Sequence, residues 1–366
     1  GLIANRFGAY RVIKYATVGM GVALFIPLAW PVLPMLGLSR FMLGVFYGAQ
    51  QVAINPFMGG LGKRDEQPVL FSFHNTVTMI ATAVGSYVGG YLPGVLATHI
   101  PLQASGGVSA TQTPTAYAAA LSVGLVVMLA SLLPLIFVKD MGVGVVKRRI
   151  LAGQPVHMPW RLLLVFALPM LFFGFTGGLT FPFYNLFFRN TFHIGDEIVG
   201  TILGVGWIGM GIVPLVNPLL ANRYGRAQAL FITLMVAAAA FLALSIAPTL
   251  GISIIAYVIA TSARNTMQPL FQPLVMSTLP PQAHNMASGI GLVVWNIGWF
   301  SATAISGYLQ AMHGFSLIMQ VVAVGVAITA LCVFLIFRNR PQHDELESPL
   351  NEGPVLLPEI KPIQPA

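Results

Sequence analysis

Charge is what this chain has least of. Of 366 residues, 18 are Lys or Arg and 10 are Asp or Glu, together 8%, against about 25% in an ordinary soluble domain. With 56% hydrophobic residues, that scarcity excludes a soluble globular protein and a disordered chain. A nucleic-acid binder is excluded as well. The net charge of +8 is dispersed over short loops between apolar runs, as in a membrane protein, and forms no continuous basic stripe. Cysteine occurs once, at Cys332, so no intrachain disulfide is possible. There is no GxxxxGK[ST] loop to support an ATP-driven pump and no Cys/His cluster to hold a metal. The first residue is Gly1, not Met, and no signal-peptide pattern is visible in the sequence. Neither an enzyme's catalytic constellation nor a cofactor motif is visible, so no enzymatic activity, cofactor or metal is expected.

Long apolar runs are what the chain has instead. A helix needs about 20 mostly apolar residues to cross a bilayer, and ten runs qualify: 10–31, 34–60, 68–97, 115–138, 161–188, 198–220, 227–248, 251–279, 285–311 and 315–337. Gly and Pro recur inside them, which membrane helices tolerate. Nothing alternates with period two, which excludes a transmembrane β-barrel. All ten acidic residues lie outside the runs. The expected architecture is an all-α polytopic membrane protein.

Lys and Arg set its orientation. Fifteen of the 18 fall in one set of loops and termini: near residues 6–14, at 63–64, between 139 and 161, at 223–226 and from 338 onward. The positive-inside rule places loops 62–67, 139–160 and 221–226 and the C-terminus in the cytoplasm. Arg40 and Arg189 lie toward the opposite side, and Arg264 lies within a run.

The sequence also repeats itself. Residues 1–8, GLIANRFG, match 218–225, PLLANRYG, at an offset of 217. The same offset superposes Gly90-Tyr91-Leu92 on Gly307-Tyr308-Leu309, Gln51 on Gln268 and Pro56 on Pro273. Six runs separate the two ANR loops. Both copies therefore face the same side, and the repeat is parallel.

The doubled loop resembles the G-x-L-a-D-r-x-G signature of the major facilitator superfamily. Its matched positions here are Gly1, Asn5, Arg6 and Gly8, and again Asn222, Arg223 and Gly225, as gating-motif candidates. Asn5 and Asn222 replace the family's usual acid, and Pro218 replaces the first Gly of the second copy. The resemblance implies a fold of two six-helix bundles, with ten of the twelve helices present in this chain. About 55–60 residues carrying family helices one and two are then expected ahead of Gly1. The implied organisation is an N-terminal bundle (1–138), a cytoplasmic linker (139–160), a C-terminal bundle (161–337) and a disordered tail (338–366).

Two further stretches are similar to exporter signatures in that family. Ala81 to Gly90 resembles an antiporter motif, with Ala81 and Ser86 in place of its first Gly and its Pro. Tight helix packing through small residues explains the same pattern. Arg40-Phe41-Met42-Leu43-Gly44 resembles a motif tied to proton coupling, which makes Arg40 the coupling candidate; an Arg near a helix end also simply snorkels to the interface.

Polar residues inside the runs are costly and must face protein or a water-filled cavity. Gln51 and Asn55 share one helical face by spacing, as do Arg264, Gln268 and Gln272. With Asn265, Trp295 and Asn296 they are the substrate-cavity candidates. The resemblance places their helices around a central cavity, and interhelical hydrogen bonding is the competing explanation.

The function implied is secondary active transport of a small organic solute by alternating access, with proton-antiport export as the leading form. Uptake of a small polar or anionic solute is the alternative, and a non-transporting scaffold or receptor on the same fold is a third reading. The expected setting is a monomer in a bacterial cytoplasmic membrane. Its partners are the small-molecule substrate, the lipid bilayer and protons, with no nucleic acid.

Overall fold

The computed structural model describes residues 9–61, 67–99, 114–137, 160–246, 249–279 and 284–338. The first ANR loop with Gly1, Asn5, Arg6 and Gly8, the linker from 139 to 159, and the tail beyond 338 lie outside them. Every regular element among the described residues is helical.

Four helices and a short fifth make the first half: α1 (Ala9–Ala29), α2 (Leu33–Leu61), α3 (Gln67–His99), α4 (Pro114–Ala130) and α5 (Leu132–Phe137). The second half holds α6 (Trp160–Thr180), α7 (Tyr184–Phe192), α8 (Asp196–Ile212), α9 (Asn217–Tyr224), α10 (Arg226–Ile246), α11 (Leu250–Asn265), α12 (Met267–Thr278) and α13 (His284–Phe337). Each of the ten expected spans is occupied by helix. Seven stretches are long and apolar enough to cross a membrane, and one of them, Met286–Phe337, covers two expected spans. The other two are α2, whose Gln50, Gln51 and Asn55 dilute its apolarity, and the pair α11–α12, which is interrupted.

Proline sets the interruptions. Pro182 lies in a 3-10 turn (Phe181–Phe183) between α6 and α7, and Pro214 in another (Val213–Val216) between α8 and α9. Between α11 and α12, Pro269 has no N–H to offer the carbonyl of Asn265, and its ring crowds that carbonyl. The helix therefore tightens at Thr266, whose amide bonds Ala263 O at 3.3 Å, before a new helix starts. Two glycines hold backbone that other residues resist. Gly314, inside α13, has φ 72° and ψ −174° and divides it into its two spans. Gly225, the last residue of the second ANR loop, caps α9 at φ 82° and ψ 152°, donating to Ala221 O at 2.8 Å. The glycine of that signature is thus explained by backbone geometry.

The core is lopsided. The second half buries a large apolar cluster in which Phe187, Phe188, Phe241, Leu230 and Leu234 are inaccessible or nearly so; the first half has a small one built on Ala9, Val12, Ile13 and Ala53. The repeat makes the difference local. On α13, Gly298, Ala302 and Ser306 are buried against α6: a Cβ at Gly298 would meet Leu171 O at 2.5 Å, and Ser306 Oγ donates to Leu179 O at 2.6 Å. Their mates on α3, Ala81, Gly85 and Gly89, are exposed, and nothing lies within 4 Å of where a Cβ at Gly85 or Gly89 would sit.

The φ/ψ pair at Gly225 belongs to a region that is essentially glycine-only, with a cost of about 1–3 kcal/mol for another residue. Gly225→Ala should lower the thermal midpoint of the detergent-solubilised protein by several degrees, while Asn222→Ala, at an exposed neighbour, should leave it in place.

Candidate functional site

Arg264 stands one residue before the end of α11, at the middle of the interrupted span. The break gives the membrane interior a helix C-terminus, where exposed carbonyls favour a cation. The side chain is 6% exposed and reaches α6. Nη2 donates to the carbonyl of Phe173 and, at 3.4 Å, to Thr176 Oγ1. The guanidinium carbon lies 4.0 Å from the centre of the Phe173 ring, a cation–π arrangement. Its Nε, also buried, finds no acceptor, and no carboxylate among the described residues pairs with it.

Glycine makes the approach possible. A Cβ at Gly177 would come within 2.6 Å of Trp299 and 2.7 Å of Arg264 Nη2. Aromatic rings close the surroundings. Trp299 lies 5.1 Å from Trp295 and 5.7 Å from Phe181, and Phe181 is 5.6 Å from Trp207 and 5.7 Å from Tyr184. Tyr184 in turn meets Tyr257 edge-on at 4.8 Å. Trp295 Nε1 is buried without a partner. The cluster thus joins α6, α7, α8, α11 and α13 around two unfulfilled donors.

The other candidates divide. Asn265 donates to Met210 O at 3.0 Å, tying the end of α11 to α8. Gln272 is half-buried and Gln268 exposed, so Arg264, Gln268 and Gln272 do not share one environment. The spacing of four that predicts a common face assumes an unbroken helix, and the break at Thr266 removes that premise. Asn296 is exposed and donates to Leu292 O of its own helix. Gln51 is exposed; Asn55 lies outside the described side chains. Gln50 donates to Thr17 Oγ1 at 3.2 Å and so joins α2 to α1. Arg40, Asn222 and Arg223 are exposed, and the Arg223 guanidinium lies 5.4 Å from the Tyr224 ring centre.

A concavity of about 570 Å³ lies elsewhere, between α3 and α8. Thr201, Val205, Ile208 and Ile212 line it from one face of α8, while Gly206 and Met210, on the other face, turn toward α11. The groove and the Arg264 cluster are therefore different places. Sequence reading missed the aromatic enclosure and the contact of Gly177 with Trp299 and Arg264. The signal was available in Thr176-Gly177-Gly178 and Phe181, but only their contacts with α13 give it meaning.

A family model described as Major Facilitator Superfamily matches residues 1–303 and 166–364. Among solved structures, a D-xylose–proton symporter superposes with TM-score 0.71 at 15% identity, covering 93% of this chain and 83% of that one. A nucleoside transporter gives 0.68 at 15%, covering 92% and 86%. A bacterial homologue of the iron transporter ferroportin, inward-facing, gives 0.67 at 12%, covering 91% and 83%. Likeness at such identities speaks for the fold alone. An uncharacterized transporter of Sinorhizobium fredii, y4wD, is 27% identical over 100 residues, 27% of this chain. The match spans only about a quarter (26%) of that protein's length.

Overpacking at a tight contact costs about 1–3 kcal/mol. Gly177→Ala should therefore lower the thermal midpoint measurably, because its methyl must displace Trp299 or Arg264. Gly85→Ala, where space is open, is the matched control and should not.

Proposed function

The chain belongs to the Major Facilitator Superfamily, and on that footing we propose that it carries a small organic solute across the membrane by alternating access, with Arg264 and the rings around it as the substrate site. It is a multi-pass integral membrane protein and a secondary transporter by family. The observation that supports the site is the break in α11 beside a buried guanidinium. Discontinuous helices place backbone ends and charges at mid-membrane, where transporters bind their cargo. Arg264 is held by one carbonyl, one hydroxyl and one ring, with a buried donor to spare. A guanidinium with its Nε unpaired suits a carboxylate or phosphate group, and the flanking Trp295, Trp299 and Phe181 suit an apolar or ring-bearing body.

Export in exchange for protons is the proposed direction, supported by the likeness of Ala81–Gly90 and Arg40–Gly44 to exporter signatures. Uptake of an anionic solute is the second reading, favoured by the cationic site and by the absence of any carboxylate from the apolar runs. The Lys- and Arg-rich loops face the cytoplasm in both.

A thermal-shift screen of purified protein against carboxylates, phosphate esters, sugars and amino acids should find a stabilising anion. Arg264→Ala should keep membrane insertion and folded yield yet abolish transport of that compound into or out of proteoliposomes, with binding at least about tenfold weaker, the loss of one charge-assisted hydrogen bond. Arg264→Lys should restore little of it, lacking the fork. Folded yield falling in step with transport would instead make Arg264 a packing residue.

A further inference from the structure

The two halves touch along α3 and α8, and their contact changes character along the membrane. At the end opposite the basic loops, the backbones meet directly. A Cβ at Gly200 would lie 2.6 Å from Ser86 O and 2.8 Å from the Cα of Gly90. Toward the basic loops the same helices flank the 570 Å³ groove, lined there by Asn75, Met79, Ile208, Ile212 and Leu215.

A polar triad caps the tight end. Tyr117 Oη donates to Asp196 Oδ2 at 2.5 Å, Arg189 Nη1 lies 3.4 Å from Asp196 Oδ1, and Arg189 Nη1 donates to Tyr117 Oη at 3.2 Å. Arg189, in the last turn of α7, and Asp196, in the first turn of α8, sit where helix ends favour their charges. Alone they would merely staple the α7–α8 turn. Tyr117 belongs to α4 in the other half, and its hydroxyl serves both of them. Arg189 and Asp196 are 35% and 26% exposed, so the triad is solvated enough to break and re-form.

We propose that Tyr117, Asp196 and Arg189 form a clasp that holds the two halves together at the end opposite the basic loops, and that opening toward that side requires Tyr117 to release Asp196. The proposal rests on the alternating-access reading. The Gly90–Gly200 seam beneath the clasp supplies close contact without a directional bond, and the clasp supplies the bond.

The test places spin labels at Ala118→Cys on α4 and Ile198→Cys on α8 of the full chain, in a Cys332→Ser background, and measures their separation by pulsed electron resonance in lipid. The parent should show a dominant short distance. Tyr117→Phe, which leaves the Arg189–Asp196 pair intact, should raise the ratio of long to short distances roughly fivefold, as loss of one modest hydrogen bond would. Asp196→Asn should raise it at least as far. Unchanged distances in both variants, with monodisperse folded protein, overturn the clasp. A change with Asp196→Asn and Arg189→Gln but none with Tyr117→Phe also overturns it, since a staple within one half explains that pattern. Labels that separate in variants of a protein that transports nothing would keep the clasp and defeat the transporter reading. Transport with unresponsive labels would do the reverse.

Discussion

Hydrocarbon supplies no hydrogen bonds, so every polar group within it must be served by the protein itself. Arg264 is where that constraint presses hardest, and the second half is arranged around meeting it. Serving the guanidinium takes the carbonyl of Phe173 and the hydroxyl of Thr176. Those groups are within reach because α6 runs close to α11, and Gly177 leaves room for the side chain between α6 and Trp299. Behind it, α6 and α13 lie backbone to backbone, and Thr303 and Ser306 of α13 donate to the carbonyls of Gly178 and Leu179. Packing and charge compensation are thus one problem solved once: the small residues that let helices approach also bring the acceptors to the charge.

That the chain is built of spanning helices was legible because each span is a long apolar run, the strongest signal a sequence carries. The parallel repeat was legible because two loops share a rare string, and the structure explains its last letter through the backbone of Gly225. The interior of the site was less so. Arg264 announced itself as a charge in an apolar run, but its neighbours Phe173 and Thr176 lie 91 and 88 residues away in the chain. The break at Thr266 is signalled by Pro269, and it takes Gln268 and Gln272 off the face that a spacing of four gives them in a continuous helix. Tyr117 and Asp196, 79 residues apart, carry no pattern that joins them. Periodicity reports which face of an element is apolar, and it is silent on which distant element covers that face.

The repeat is instructive where its two copies part. Gly298, Ala302 and Ser306 are filled against α6, whereas Ala81, Gly85 and Gly89 on α3 are bare. Tyr47, the mate of Arg264 at the 217-residue offset, is 56% exposed. Equivalent positions therefore keep small residues in both copies while the charge is found in one. Shared architecture accounts for the glycines; the arginine is a property of the second half.

The seam between α3 and α8 has a mechanical reading. Ordinary helix interfaces interlock through side chains, so displacing one against the other resets rotamers and exposes voids. At Gly90 and Gly200 there are no rotamers to reset. Two smooth rods touch there, so a small roll of one on the other would leave side-chain packing at that point undisturbed, a freedom that an interlocked helix pair does not have.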